Sequence, residues 1–159
     1  MKITILCVGK LKESYFRDGV AEYKKRLSKY AEVNIVEVAD EKTSENSSDR
    51  EIAAVQDKEG KRIMSHIKDK ELCVSLAIKG KMYDSVEFSE KIANWLEEGG
   101  SHVVFIVGGS LGLSEEVLKR CKYSISFYEM TFPHQLMRVI LLEQIYRGFR
   151  IMNNEPYHK

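Results

Sequence analysis

Apolar and polar positions along the chain predict strands and helices in alternation. The segments at 2–8, 71–78 and 102–107 are almost continuously apolar or β-branched, which is typical of strands buried on both faces. The segments at 32–38 and 122–128 alternate between apolar and polar residues, as strands with one exposed face do. Five strands are therefore predicted, and each is followed by a segment with helical spacing.

Capping signals and helical spacing define the predicted helices. Ser48 and Glu51 form a capping-box pattern, so the second helix is expected to begin there. Pro133 is tolerated at the start of the last and longest helix. The predicted helices cover 13–29, 49–67, 85–97, a short segment after Ser114, and 134–152.

This order of elements predicts an α/β fold with a mainly parallel sheet and helices on both faces. The 159 residues suit a single domain, because the chain has only two prolines and no Gly- or Ser-rich linker. In such sheets ligands bind beyond the carboxyl ends of the strands. The candidate binding loops therefore begin at Gly9, Ile78, Gly108 and Tyr128.

Charge and cysteine content narrow the function classes. A net charge of +1 with 31% charged residues is typical of a soluble protein and neither favours nor excludes an RNA partner. Basic residues are concentrated in 10–30, so the first helix offers either a basic binding face or an ordinary solvated one. Cys7, Cys73 and Cys121 lie apart in apolar stretches, which predicts buried free thiols in a reducing cytoplasm and no metal site. No secretion signal and no membrane span are predicted.

The stretch VVFIVGGSLGLS at 103–114 ends a strand in a glycine-rich loop. A dinucleotide fingerprint requires GxGxxG after the first strand, whereas this loop follows the fourth. A P-loop requires a lysine directly after its last glycine, and the next lysine here is Lys119, in the following helix. Both motifs are disfavoured, and a tight turn without a ligand remains an alternative for the isolated Gly108-Gly109 pair.

Two further loops at the same predicted edge favour a bound ligand. Leu76 to Lys81 is a strand end with a glycine turn, and FYEMTFPH at 127–134 is unusually apolar for an exposed connection. A polyphosphate fits poorly, because GGSLGLS contains no lysine or arginine. The three loops together favour a flat heterocycle held by backbone groups.

The segment VVFIVGGSLGLS and the later MTFPHQLMRVILLEQIYRGFRIMNNEPYHK resemble the SPOUT class of methyltransferases. More closely, they resemble the ribosomal RNA large subunit methyltransferase H family, and KITILCVGK, DKEGKRI and LAIKGK extend the resemblance over essentially the whole chain. The resemblance implies a C-terminal trefoil knot, a homodimer and S-adenosyl-L-methionine as cofactor. It also implies methylation of N3 of a pseudouridine in helix 69 of 23S rRNA, on the assembled 70S ribosome in the cytoplasm, without a metal or a membrane.

The resemblance also assigns the cofactor contacts to the three loops. Gly108 would let the backbone approach the ligand, and backbone groups of the third loop would read the adenine edge. The family usually has small or polar residues at the centre of that loop, so Glu129-Met130 is a departure and no specific side-chain contact is predicted there. The positions carried over are Leu76, Gly108, Phe127, Tyr128, Glu129, Met130, Thr131 and Phe132.

Methyl transfer to an imide nitrogen requires positioning of the two reactants and removal of one proton. His134 is a catalytic candidate, with a capping or packing role at the helix start as the alternative. Arg138 lies one turn further on, where it either orients substrate or phosphate or pairs with an acid. Glu143 and Arg147 have the spacing of a helix salt bridge.

The chain ends in Pro156-Tyr157-His158-Lys159, for which a disordered terminus is the default expectation. The resemblance instead places this tail at the mouth of the active site. Tyr157 is then predicted to stack on or pack beside the target base, and His158 to orient the base or accept its proton.

Three other functions remain open at this point. A SPOUT methyltransferase could act on tRNA or on another rRNA position. A non-enzymatic ribosome-associated factor would share the RNA partner but not the chemistry. A dinucleotide-dependent oxidoreductase is disfavoured by the position of the glycine loop.

Overall fold

The computed structural model describes residues 1–159 and contains five strands and five helices in alternation, which confirms the predicted order. The capping box at Ser48 is present, since its hydroxyl accepts from the Glu51 amide and the Glu51 carboxylate accepts from the Ser48 amide. The elements are β1 (Lys2–Val8), α1 (Ser14–Leu27), β2 (Glu32–Val38), α2 (Asp49–Met64), β3 (Leu72–Lys81), α3 (Ser85–Glu98), β4 (His102–Val107), α4 (Glu115–Arg120), β5 (Tyr123–Ile125) and α5 (His134–Met152).

All five strands form one sheet in the order β2-β1-β4-β3-β5, and every neighbouring pair is parallel. The predicted parallel α/β architecture is therefore confirmed. Because the strands are parallel, their carboxyl ends meet at one edge of the sheet. The loops that follow β1, β3, β4 and β5 all begin at that edge.

Two hydrophobic clusters cover the two faces of the sheet. The larger one joins α1, α3 and α5 to strand residues such as Ile3 and Ile5, and the smaller one joins α2 and α4 to Leu6 and Val8. This division follows from the strand period of two, which sends successive side chains to opposite faces. The prediction of helices on both faces is confirmed.

Two boundaries predicted from the sequence are wrong. The glycine turn expected at Lys79–Lys81 belongs to β3, and β5 ends at Ile125 instead of continuing to residue 128. The Lys81 carbonyl accepts from the Ser126 amide at 3.0 Å, so β3 continues past its glycine and pairs again with Ile125 at the end of β5. Gly80 permits this close approach, because a Cβ there would stand 2.3 Å from the carbonyl carbon of Ile125.

The cysteines are free, with Cys7 and Cys73 buried and Cys121 half-buried. Burial raises the pKa of the Cys7 and Cys121 thiols to about 12. These groups are therefore inert protonated thiols rather than nucleophiles. None of the helices has the length and apolar character that crossing a membrane would require.

Candidate functional site

The three loops singled out in the sequence meet at the carboxyl edge of the sheet. Leu76 pairs with Val107 on β4 and with Ile125 on β5. Gly108 directly follows Val107, and Phe127 lies two residues beyond Ile125. The strand register therefore brings Leu76, Gly108 and the loop at 127–132 together, although their role in binding a cofactor stays a prediction.

The loop at 127–132, here called the aromatic loop, combines closely packed rings with free backbone donors. The ring centroids of Tyr128 and Phe132 lie 3.9 Å apart, and Phe127 packs edge-on against Phe88 at 5.6 Å. None of the amide groups from 127 to 132 donates to another backbone group of the chain. Met130 is 71% exposed. An apolar wall with unused N–H groups is suited to a heterocycle that carries ring-nitrogen acceptors.

Residues 108–113, here called the glycine loop, fold back on themselves. The Gly112 amide donates to the Gly109 carbonyl at 3.1 Å, and Gly112 has a φ of +80°. A Cβ on Gly108 would stand 3.0 Å from the carbonyl carbon of Gly112. Gly108 is thus required by the tight packing of this loop, which is a reason additional to the ligand approach expected from the sequence.

Arg138 is buried where α5 meets the end of β1, with 1% of its surface exposed. Its Nη2 donates to the carbonyls of Val8 and Gly9 at 2.9 and 2.7 Å, and its Nη1 donates to Glu37 at 2.7 Å. Of the two roles left open by the sequence, this placement favours pairing with an acid. A contact with the substrate stays a prediction.

His134 lies half-buried beside the turn that follows β1. Its Nε2 and the carboxyl carbon of Asp40 each lie 3.8 Å from the point where a Cβ on Gly9 would stand. Burial, reinforced by the nearby Arg138 charge, lowers the pKa of His134, and Asp40 opposes this shift. His134 is therefore a neutral imidazole near pH 7, which is the form that can accept a proton. It does not cap α5, since Pro133 is the N-cap and no side chain bonds there.

The C-terminal tail, residues 153–159, is packed against the molecule, so a disordered terminus is not what the structure shows. The Tyr157 hydroxyl donates to Glu143 at 3.2 Å, and its ring meets Tyr146 edge-on at 5.0 Å. The Arg147 guanidinium lies 4.7 Å from the centroid of the Tyr157 ring. Burial raises the pKa of Tyr157 to about 12, so the phenol stays protonated. Tyr157 can therefore donate a hydrogen bond or stack, but it is not a base at neutral pH.

His158 of the tail and two residues of α5 contribute to the packing around Tyr157. His158 lies next to Arg147, with Nδ1 and Nη1 3.4 Å apart. Glu143 and Arg147 form the predicted helix salt bridge at 2.6 Å. Their pairing fixes the side chains on which Tyr157 rests.

Glu155 anchors the tail and was missed by the sequence analysis. Its carboxylate accepts from Lys29 at 3.0 Å and from the Tyr30 hydroxyl, and it forms a salt bridge with Arg150 at 2.6 Å. The Tyr30 hydrogen bond, followed by that of Lys29, lowers the pKa of Glu155. Because Lys29 and Tyr30 are more than 120 residues away in sequence, no local pattern could have revealed this contact.

No group of three or more His, Cys, Asp or Glu side chains is arranged to hold a metal ion. The groups that the structure offers are the two loops and the neutral His134 at the carboxyl edge, and the tail further along α5. These groups can bind a flat ligand and can accept or donate protons.

Comparison with known proteins defines the class. A family model described as "Predicted SPOUT methyltransferase" matches residues 1–158, and the chain belongs to this family. It is thus a methyltransferase, as the resemblance in its motifs predicted, and the open non-enzymatic and oxidoreductase alternatives are excluded.

Individual relatives narrow the comparison further. Proteins named "Ribosomal RNA large subunit methyltransferase H" from Clostridium kluyveri and Bifidobacterium animalis subsp. lactis are each 55% identical to the chain over 159 residues. The protein of the same name from Clostridium botulinum strain Alaska E43 is 56% identical over 159 residues. In each case the match covers 100% of both chains.

Proposed function

We propose that this protein transfers the methyl group of S-adenosyl-L-methionine to N3 of a pseudouridine in helix 69 of 23S rRNA. The full-length identity of 55% to proteins named for rRNA methylation carries this proposal. The substrate is the assembled 70S ribosome, which makes the cytoplasm the site of action. The coarser class, a SPOUT methyltransferase, does not depend on this choice of nucleotide.

The residues at the carboxyl edge fit the proposed cofactor. The amides of the aromatic loop that have no backbone partner match the acceptor nitrogens of an adenine ring. Leu76 and Phe132 are apolar side chains that such a ring could contact. When bound, S-adenosyl-L-methionine supplies an activated methyl group, so the protein mainly has to orient the accepting nitrogen and manage its proton.

His134 and His158 are the candidate proton acceptors in this proposal. The lowered pKa of His134 keeps it neutral, and it lies at the start of α5, directly after the aromatic loop. Tyr157, as a protonated phenol, is suited to stack on the base or to donate to one of its carbonyl oxygens. Arg138, by contrast, supports the site from beneath by fixing the end of β1.

We further propose that the active protein is a homodimer whose tail works in trans. Tyr157 rests on Glu143, nine residues after His134, which corresponds to about 13 Å along the helix axis. A subunit's tail is therefore distant from its own aromatic loop. Leu136 and Ile140 belong to neither core cluster and form a half-buried apolar stripe on α5. Antiparallel packing of two such helices around Ile140 would set Arg147 and the tail beside His134 of the partner subunit.

The trefoil knot implied by the resemblance is also part of the proposal. The close approach of Gly80 to the backbone of Ile125 supports it, because threading requires one segment to lie closely against another. Leu76 and Lys81 both pair with Ile125, so residues 77–80 bulge out of the pairing between them. We propose this bulge as the loop through which the chain is threaded.

The test is methyl transfer from labelled S-adenosyl-L-methionine to intact ribosomes, separated subunits and free rRNA from cells that lack this protein. We expect label only on intact ribosomes and at one pseudouridine. The exposed Lys24 and Lys25 of α1 are the proposed phosphate contacts, and so few contacts give only weak affinity for free RNA. Label on tRNA or at another rRNA position would keep the enzyme class and refute the proposed substrate.

A further inference from the structure

Helix α2 lies along the glycine loop and holds it from outside the sheet. The Gln56 side-chain amide donates to the Leu111 carbonyl at 2.6 Å. One turn further on, Gly60 approaches Ser114 so closely that a Cβ would stand 2.5 Å from the Ser114 hydroxyl. Ser114 is the N-cap of α4, where its hydroxyl accepts from the Val117 amide. Helix α2 therefore contacts the glycine loop at Leu111 and packs against Ser114, the residue that directly follows the loop.

Glu59 occupies the position between these two contacts. It is only 4% exposed, and its Oε1 accepts from the Glu41 amide at 3.0 Å. Its Oε2 is buried without a hydrogen-bond partner and lies 3.2 Å from the point where a Cβ on Gly109 would stand. The same carboxylate thus contacts the loop after β2 and the loop after β4.

Stability alone does not explain a buried carboxylate at this position. Taking the charge out of water costs free energy, and one oxygen gains no hydrogen bond in return. Burial accordingly raises the pKa of Glu59; the hydrogen bond from the Glu41 amide and the Arg62 charge oppose this shift, whereas the carboxylates of Asp40 and Glu41 add to it. An apolar residue would pack here without that cost, so a role in the site is the better explanation.

The structure assigns Glu59 and Gln56 a positioning role: they set the backbone of the glycine loop that receives the methyl donor. This inference rests on the proposed function and on the contact between Gly108 and S-adenosyl-L-methionine that the family resemblance implies. Glu59 binds the amide of Glu41, whose neighbour Asp40 faces Gly9 beside His134. Glu59 therefore connects the glycine loop with the region of His134, the candidate proton acceptor. Neither residue touches a reactant, and both act through the backbone.

The experiment compares Gln56→Ala and Glu59→Gln with Asp57→Asn, an exposed neighbour on the same helix. We expect the Kd for S-adenosyl-L-methionine, measured by calorimetry, to rise about tenfold in Gln56→Ala, as loss of one buried hydrogen bond predicts. The melting temperature should stay close to that of the parent. Backbone amide resonances of 108–113 should shift in both variants, and Asp57→Asn should match the parent in every measurement.

Unchanged donor affinity in well-folded Gln56→Ala and Glu59→Gln would refute the positioning role. So would a loss of binding that only follows the unfolded fraction. These outcomes can be separated from failure of the proposed substrate, because donor affinity is measured without any RNA. A parent protein that binds no S-adenosyl-L-methionine would overturn both the cofactor assignment and this inference.

Discussion

Arg138 joins parts of the chain that are far apart in sequence. Its guanidinium holds the last carbonyls of β1 and the Glu37 carboxylate of β2 against α5. The planar fork of arginine can meet several acceptors at once, which a lysine ammonium on a flexible stem cannot do in the same geometry. This residue therefore positions the turn at Gly9, on which His134 rests.

Replacement of Arg138 by methionine should lower the free energy of unfolding by about 3 kcal/mol, because it removes the side-chain donor to two buried carbonyls and the ion pair with Glu37. Urea denaturation followed by circular dichroism measures the loss. Arg26→Met, which removes an exposed helix pair with Glu22, is the control and should change stability little. If Arg138→Met is as stable as the parent but loses methylation, the arginine contacts the substrate instead.

At the scale of elements, the sequence pattern correctly predicted the strand bounds that local interactions determine. β1, β2 and β4 have the predicted bounds because their apolar runs stop at glycine or at polar residues. The ends of β3 and β5 were wrong because Lys81 and Ser126, 45 residues apart, bond to each other. For the same reason, the contacts of Glu155 and Glu59 could not be predicted from the sequence, since their partners are set by the tertiary structure. The three candidate binding loops could be predicted because parallel strands place their carboxyl ends together.

The tail is an element in its own right, and Glu155 should control its order. Glu155→Gln keeps the shape but loses the charge that pairs with Lys29 and Arg150. We expect faster hydrogen exchange in 153–159 and a loss of ribosome methylation of roughly three- to tenfold, with donor affinity unchanged. Glu115→Gln removes an exposed pair on α4 and serves as the control. Normal exchange and normal activity in Glu155→Gln would show that Tyr157 is held by α5 alone.

At the scale of the whole molecule, the aromatic loop and the C-terminal tail of one chain lie apart. A monomer does not explain how both could act on the same substrate. The aromatic loop lies at one end of α5, and Tyr157 rests on the middle of the same helix. The half-buried apolar stripe of Leu136 and Ile140 lies between them. In the proposed homodimer, a two-fold axis through this stripe would bring each tail to the other subunit's loop, whereas the single chain keeps them apart.

Mixing two inactive variants decides between these arrangements. One variant lacks residues 157–159, and the other carries Gly108→Val, whose side chain would collide with Gly112 and Leu113. After subunit exchange, half of the dimers are mixed. In each mixed dimer, the intact glycine loop of the truncated subunit faces the intact tail of the Gly108→Val subunit. Methylation should therefore return to about a quarter of the parent level if the site is shared between subunits. If loop and tail act within one subunit, every site stays defective and the mixture remains inactive, even though dimers form and the truncated subunit still binds the donor.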